Sequence, residues 1–125
     1  MRYFGETKNG ERIDFEISGE QIRNIRSMVH LLCTEVGGSL KTNFEIQPFQ
    51  LVGPFEIEGS GRFSGTNRVE GKDYEFSGQV HGSEASGTLR LTYWKITFDP
   101  FTNESGQILC QNEVEWSAST AGNTN

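Results

Sequence analysis

Four carboxylate pairs are the residues best placed by type and spacing to do chemistry: Asp14 with Glu16, Glu56 with Glu58, Asp73 with Glu75, and Glu113 with Glu115. On an extended strand this i, i+2 spacing puts both acids on one face, about 7 Å apart. Glycosidases use two carboxyls about 5 to 9.5 Å apart. Alternation on a water-facing strand makes the same pairs without any activity, and outward charge also protects sheets from edge-to-edge association. The solvated-face reading takes precedence.

His30 and His81 are the only histidines. His30 lies within an apolar run, and His81 sits on a solvent phase beside Gly82. A hydrolytic triad needs a base within reach of a nucleophile and a third group that orients it. Serines are plentiful, but none sits in a Gly-x-Ser-x-Gly elbow. Two histidines and two distant cysteines, Cys33 and Cys110, have no zinc-site spacing. Gly59-Ser60-Gly61 followed by Gly65 lacks the Lys-Ser/Thr of a phosphate loop. Asp99, Asn103 and Glu104 offer oxygen ligands to calcium, though not at EF-hand spacing, so a plain polar loop is preferred. Asn103-Glu104-Ser105 also fits an N-glycosylation acceptor. The expectation is therefore a protein without catalytic residues and without a cofactor, calcium being the one weak candidate.

Aromatic residues in loops are the remaining handle. Phe49, Phe55 and Phe101 each follow a proline. On a rigid β scaffold such side chains suit contact with a protein or a glycan. The competing reading is that they plug the ends of the barrel or sandwich. Together with Asn103 and Glu104 they make up the candidate binding set, carried by the segments Leu32–Leu40, Gln47–Pro54 and Asp99–Gly106.

The elements that would position these residues follow from composition and pattern. At 125 residues the chain predicts one domain, residues 1–120, with a frayed tail at 121–125. The net charge of −6 argues against a duplex nucleic-acid binder, which needs a basic footprint. No stretch is long and apolar enough to predict a membrane-spanning helix. The opening Met1-Arg2-Tyr3-Phe4 reads as a strand rather than a signal peptide, so the expectation is either a cytoplasmic protein or one whose leader has been removed. Fifteen glycines among Phe, Ile, Thr and Tyr predict short strands joined by tight turns.

Along the chain, Asn9-Gly10 predicts a two-residue type I′ hairpin leading into Arg12–Ser18, with Ile13, Phe15 and Ile17 inward. Gln21–Cys33 fits a helical stripe and a strand face about equally. Thr42–Gln47 predicts a strand with Phe44 and Ile46 inward, stopped by Pro48. Odd positions from Phe55 to Phe63 share a strand face that contains Gly59 and Gly61, and 66–72 reads as a polar turn. Tyr74–Phe98 reads as two long strands about a turn at Gly82–Gly87. There Leu89, Leu91 and Tyr93 share one phase, while Trp94, Ile96 and Phe98 share the other, which predicts a bulge or a crossing between sheets at Tyr93-Trp94. The last strand, from Gln107 to about Ser119, puts Ile108, Cys110, Val114, Trp116 and Ala118 on one face. The whole predicts an all-β antiparallel sandwich or barrel of about nine short strands. Each cysteine falls on an apolar phase, and spacing alone fits two buried thiols as well as one disulfide closing a loop of about 78 residues.

The ordered features resemble a small all-β domain that recurs in uncharacterised secreted bacterial proteins, often actinobacterial. They are Tyr3-x-Gly5-x-Thr7, Phe15-x-Ile17-Ser18-Gly19, a segment ending in Cys33, Gly61-Arg62-Phe63-Ser64, Phe76-Ser77-Gly78, Ala85-Ser86-Gly87-Thr88-Leu89-Arg90, and Cys110-x-x-x-Val114-x-Trp116-x-Ala118. The resemblance covers most of the chain. It implies that Gln21–Cys33 is a strand, that Cys33 pairs with Cys110, and that the protein is secreted or surface-exposed. It implies no catalytic residue. Gln111-Asn112-Glu113 departs from its usual pattern after the second cysteine. Together these readings predict a non-enzymatic binding or structural module that meets a protein or glycan partner through its loops. A subunit of a larger assembly such as a virion surface protein, for which self-association is natural, and a small enzyme using the carboxylates or His81 are the alternatives.

Overall fold

In the computed structural model, residues 1–36 and 42–120 are described, apart from the side chains of Val36, Thr42, Thr97, Asp99 and Glu104. The expected tail at 121–125 and residues 37–40 of the expected loop Leu32–Leu40 lie outside the described residues, while Leu32–Val36 is strand and not loop. Nine strands follow in order: β1 (Arg2–Thr7), β2 (Arg12–Ser18), β3 (Gln21–Val36), β4 (Thr42–Leu51), β5 (Phe55–Glu56), β6 (Arg62–Val69), β7 (Lys72–His81), β8 (Glu84–Asp99) and β9 (Glu104–Ser119). They form one antiparallel sheet in the order β4-β3-β2-β1-β9-β8-β7-β6, with β5 on β3. An isolated bridge from Ile57 to Phe63 links the β5 end to β6, so the sheet rolls up on itself as a barrel.

Two long strands organise the roll. The first half of β3 pairs with β2, and Leu32–Val36 pairs directly with Gln111–Gln107 of β9. The other end of β9, Trp116–Ser119, pairs with β1. β1 and β2 therefore wedge between β3 and β9 at one end only, which spreads the sheet there and narrows it at the other. Cys33 stands opposite Cys110 where the two long strands meet, and their sulfurs are 2.11 Å apart.

Turn chemistry departs from expectation in an instructive way. Of Asn9-Gly10 only Gly10 takes positive φ, and the Gly10 amide donates to the Thr7 carbonyl while Thr7 N–H donates to Glu11. This is a three-residue loop whose glycine adopts the left-handed conformation, rather than a two-residue type I′ turn. The type I′ geometry occurs instead at Glu70-Gly71, φ 51° and 80°, between the paired Val69 and Lys72. Strand β6 thus runs through most of the expected polar turn. The expected strand face from Phe55 to Phe63 is broken: Gly61 N–H donates to Glu58 C=O, and Glu58 N–H donates to Arg62 C=O, closing a tight turn between β5 and β6.

The ambiguous segment Gln21–Cys33 is strand, as the resemblance implied. Its apolar phase shifts between Ile22 and Ile25, both fully buried, because Asn24 sits at φ 54° in a β-bulge where the register with β2 slips. Asn24 donates its backbone N–H to Val52 and its amide to the Glu16 carboxylate. That amide hydrogen bond is the largest of the effects holding the Glu16 carboxyl below its ordinary value.

The core is one cluster of aromatic and branched side chains. Phe76 lies at its centre, stacked on Trp116 (centroids 4.8 Å) and Phe63 (5.6 Å), and edge-on to Phe15 (5.8 Å). Tyr3 stacks on Phe15 in turn. Phe49, expected in a loop, is 1 % exposed: β4 continues through Pro48 to Leu51, and the Phe49 ring packs against Tyr74 and Phe76. An edge strand tolerates the proline because its missing N–H falls where no ladder bond is needed.

Candidate functional site

Five of the eight carboxylates seen in the sequence are held in ion pairs, and Glu56 accepts from the Gln21 amide. Asp14 accepts from Arg2 and Arg26, and Glu16 accepts from Arg2. Asp73 lies against Arg68, Glu75 against Arg90, and Glu115 3.8 Å from Lys8. These are strand-face pairs of the kind expected on solvated sheet, each worth a fraction of a kcal/mol. His30 Nε2 lies 2.6 Å from Glu11, and exposed His81 stands at the β7–β8 turn. Among the described residues, neither histidine hydrogen-bonds a Ser, Thr or Cys side chain.

The binding set from sequence is dispersed. Phe49 is core, and Phe55 is half-buried against the core cluster, so neither is an exposed loop aromatic. Phe101 projects at the β8–β9 turn, 96 % exposed, and Asn103 beside it adopts φ 59°. The side chains of Asp99 and Glu104, and with them the calcium set, lie outside the described residues.

The structure instead assembles a surface that sequence reading placed inside. Pairing of β8 with β9 is uninterrupted from Glu84↔Ser119 to Asp99↔Glu104, so the bulge expected at Tyr93-Trp94 does not exist. Tyr93 stays inward, and Trp94, Ile96 and Phe98 point out, at 53, 81 and 61 % exposure. Phe44 and Ile46 of β4, expected inward, are 76 and 55 % exposed. Leu32 lies opposite Phe44 and is also exposed. At this end the four strands run β4-β3-β9-β8, and their outward phase forms one apolar face. Its described side chains are mostly Leu, Ile, Phe, Trp, Thr, Gln and Ser, and the His30–Glu11 pair borders it beside Ile46.

The inward phase of the same end is polar, which explains the inversion. Glu45 forms an ion pair with Lys95 and accepts hydrogen bonds from the Tyr93 hydroxyl and the Gln47 amide. Lys95 and Lys72 each lie over the Tyr93 ring, 5.8 and 5.3 Å from its centre. The barrel mouth is thus closed by a hydrogen-bonded network instead of by apolar plugs. Charged groups placed half-buried in this way must be paired, and here they are. The last β7–β8 pair is Lys72↔Tyr93, so Trp94–Asp99 of β8 has a strand neighbour on the β9 side only. One signal for all this was present in the sequence: Asn43–Gln47 and Trp94–Asp99 both alternate aromatic or branched residues with charged or amide ones, in a phase that continuous strands turn outward.

Burial raises the phenol pKa values of Tyr93, Tyr74 and Tyr3 above the ordinary value. The folded chain therefore holds these protons more tightly than the unfolded chain. Their contribution to stability is fully present below about pH 10 and is lost as pH rises through the higher folded values. A phenolate-absorbance titration of the native protein is expected to show these midpoints displaced upward, with the urea midpoint falling over the same alkaline range. Native midpoints at the ordinary tyrosine value would contradict the packing described for these rings.

The chain matches no family model, and no curated protein or solved structure is significantly similar to it.

Proposed function

We propose that this protein is a non-enzymatic interaction module whose contact surface is the outward face of the β4-β3-β9-β8 end. The observation that carries this reading is the clustering of Leu32, Phe44, Ile46, Trp94, Ile96 and Phe98 on one face whose border charge, Glu11, is paired with His30. Their exposed portions sum to roughly 700 Å², taking about 150–250 Å² for an aromatic side chain. A monomer's largest apolar patch is usually about 300–600 Å² and already tends to be functional. Aromatic enrichment with depletion of charge is also the composition of interface cores. The engagement of Asp14, Glu16, Asp73 and Glu75 by arginines weighs against these two carboxylate pairs as catalytic groups. Protein is favoured over glycan as the contact, because sugar recognition needs polar side chains beside the aromatic ones and this face offers few.

The Cys33–Cys110 sulfurs at bonding distance support an oxidising setting, secreted or at a cell or virion surface. A photoreactive phenylalanine analogue at position 96 tests the contact surface, with position 69 as control. Position 96 is expected to give adducts heavier than the single chain, while Val69, exposed at the Glu70-Gly71 turn, gives none. Equal labelling from both positions, or none from position 96, would remove the face from consideration.

A further inference from the structure

Resting on that reading, we infer that the occupant of the apolar face is a second copy of this chain, packed face to face across a two-fold axis. Area is the first argument. The roughly 700 Å² of exposed apolar side chain is close to the about 800 Å² that each partner contributes to a standard interface. Relief is the second. Phe44 and Ile46 make a ridge on β4, and Trp94, Ile96 and Phe98 make a second ridge on β8. Between them β3 and β9 present Leu32 and the half-buried Thr34 and Leu109, none of them aromatic. A surface of two ridges and a trough can pack against its own rotated copy, the ridge of one lying in the trough of the other, which is what an isologous contact requires.

Charge is the third argument. The chain carries 17 acidic against 11 basic residues, so most faces of two copies repel each other. The six apolar side chains bear no charge, and the Glu11 carboxylate at their Ile46 border is paired with His30, so apposing them places no unpaired like charges in contact. A lipid surface is the weaker occupant: interfacial binding draws on Lys and Arg around the apolar residues, and the described side chains of this face supply none.

Sedimentation equilibrium from low to high micromolar concentration, with tryptophan emission recorded over the same dilution, tests the inference. The expected result is a species of twice the 14.0 kDa chain mass that dissociates on dilution. Emission should shift to the blue with association, because Trp94 is half-exposed in the single chain while Trp116 is already buried. Ile96→Lys and Phe44→Lys should each raise the dissociation constant about 100-fold or more, with far-ultraviolet circular dichroism unchanged and Val69→Lys without effect. The emission readout uses the wild-type chain, so it stands even where a variant fails to fold. A wild-type chain at the single mass throughout, with constant emission, overturns the second copy. Association that survives both face variants in folded form overturns it too, by placing the contact elsewhere. Binding of monomeric chain to phosphatidylcholine vesicles overturns it in favour of a lipid surface. If the chain is monomeric but position 96 cross-links to a different protein, the second copy fails and the interaction face stands. A monomer with no cross-link removes both.

Discussion

Phe76→Ala is expected to lower the unfolding free energy by about 3–5 kcal/mol, the usual cost of removing a buried phenylalanine ring. The ring is 1 % exposed and meets Phe15, Phe49, Phe63 and Trp116. These partners belong to β2, β4, β6 and β9, strands that are not all hydrogen-bonded neighbours. The ring therefore holds opposite walls of the barrel together where backbone pairing does not reach. The cavity left behind cannot collapse without shifting several strands at once. Domains of this size are stable by about 5–15 kcal/mol, so the variant loses about a fifth or more of the total. Urea unfolding followed by circular dichroism measures it. A midpoint close to wild type would mean that the rings around Phe76 repack freely, contrary to the stacking described.

Replacing both cysteines, Cys33→Ser with Cys110→Ser, is expected to cost about 4–5 kcal/mol in the chain-entropy model, because the bond closes a loop with 77 residues of sequence separation. The two positions face each other at the point where β3 leaves β2 and joins β9. The loss should therefore be uneven. Amide exchange should quicken most along Leu32–Val36 and Gln107–Gln111, and least in the β6–β7–β8 wall. Reductant should move wild type toward the double variant and leave the variant itself unmoved. If wild type and variant share one urea midpoint, and denatured wild type titrates two free thiols, the bond is not formed in the protein. Any loss of self-association in this variant follows from loosening the four-stranded end that carries the apolar face, and it is distinguishable from Ile96→Lys by the exchange pattern.

Much of the architecture was legible from alternation alone. Ile13 and Phe15, Leu89, Leu91 and Tyr93, and Cys110, Val114, Trp116 and Ala118 are buried as their phase predicts. On those strands one face is covered and the other wet, so polarity and direction agree. Alternation also separated strand from turn at most junctions. It missed the Asn24 bulge, because one inserted residue shifts the phase and leaves Ile22 and Ile25 looking like a helical stripe. It ended β4 too early at Pro48, because a proline reads as a stop unless the strand is known to lie on an edge.

The candidate site was the least legible part, and the reason is specific. A period of two says which residues share a face but not which face meets the core. For Phe44 and Ile46, and for Trp94, Ile96 and Phe98, hydrophobicity pointed inward, yet continuous pairing carries all five outward. The sequence by itself determined an all-β chain, the cysteine positions on apolar phases and most of the core. Only the tertiary structure decided that Glu45, Lys95, Gln47 and Tyr93 could satisfy one another inside the barrel mouth. Once those polar groups have partners inside, the apolar side chains of the same strands have no interior left to fill, and they become surface.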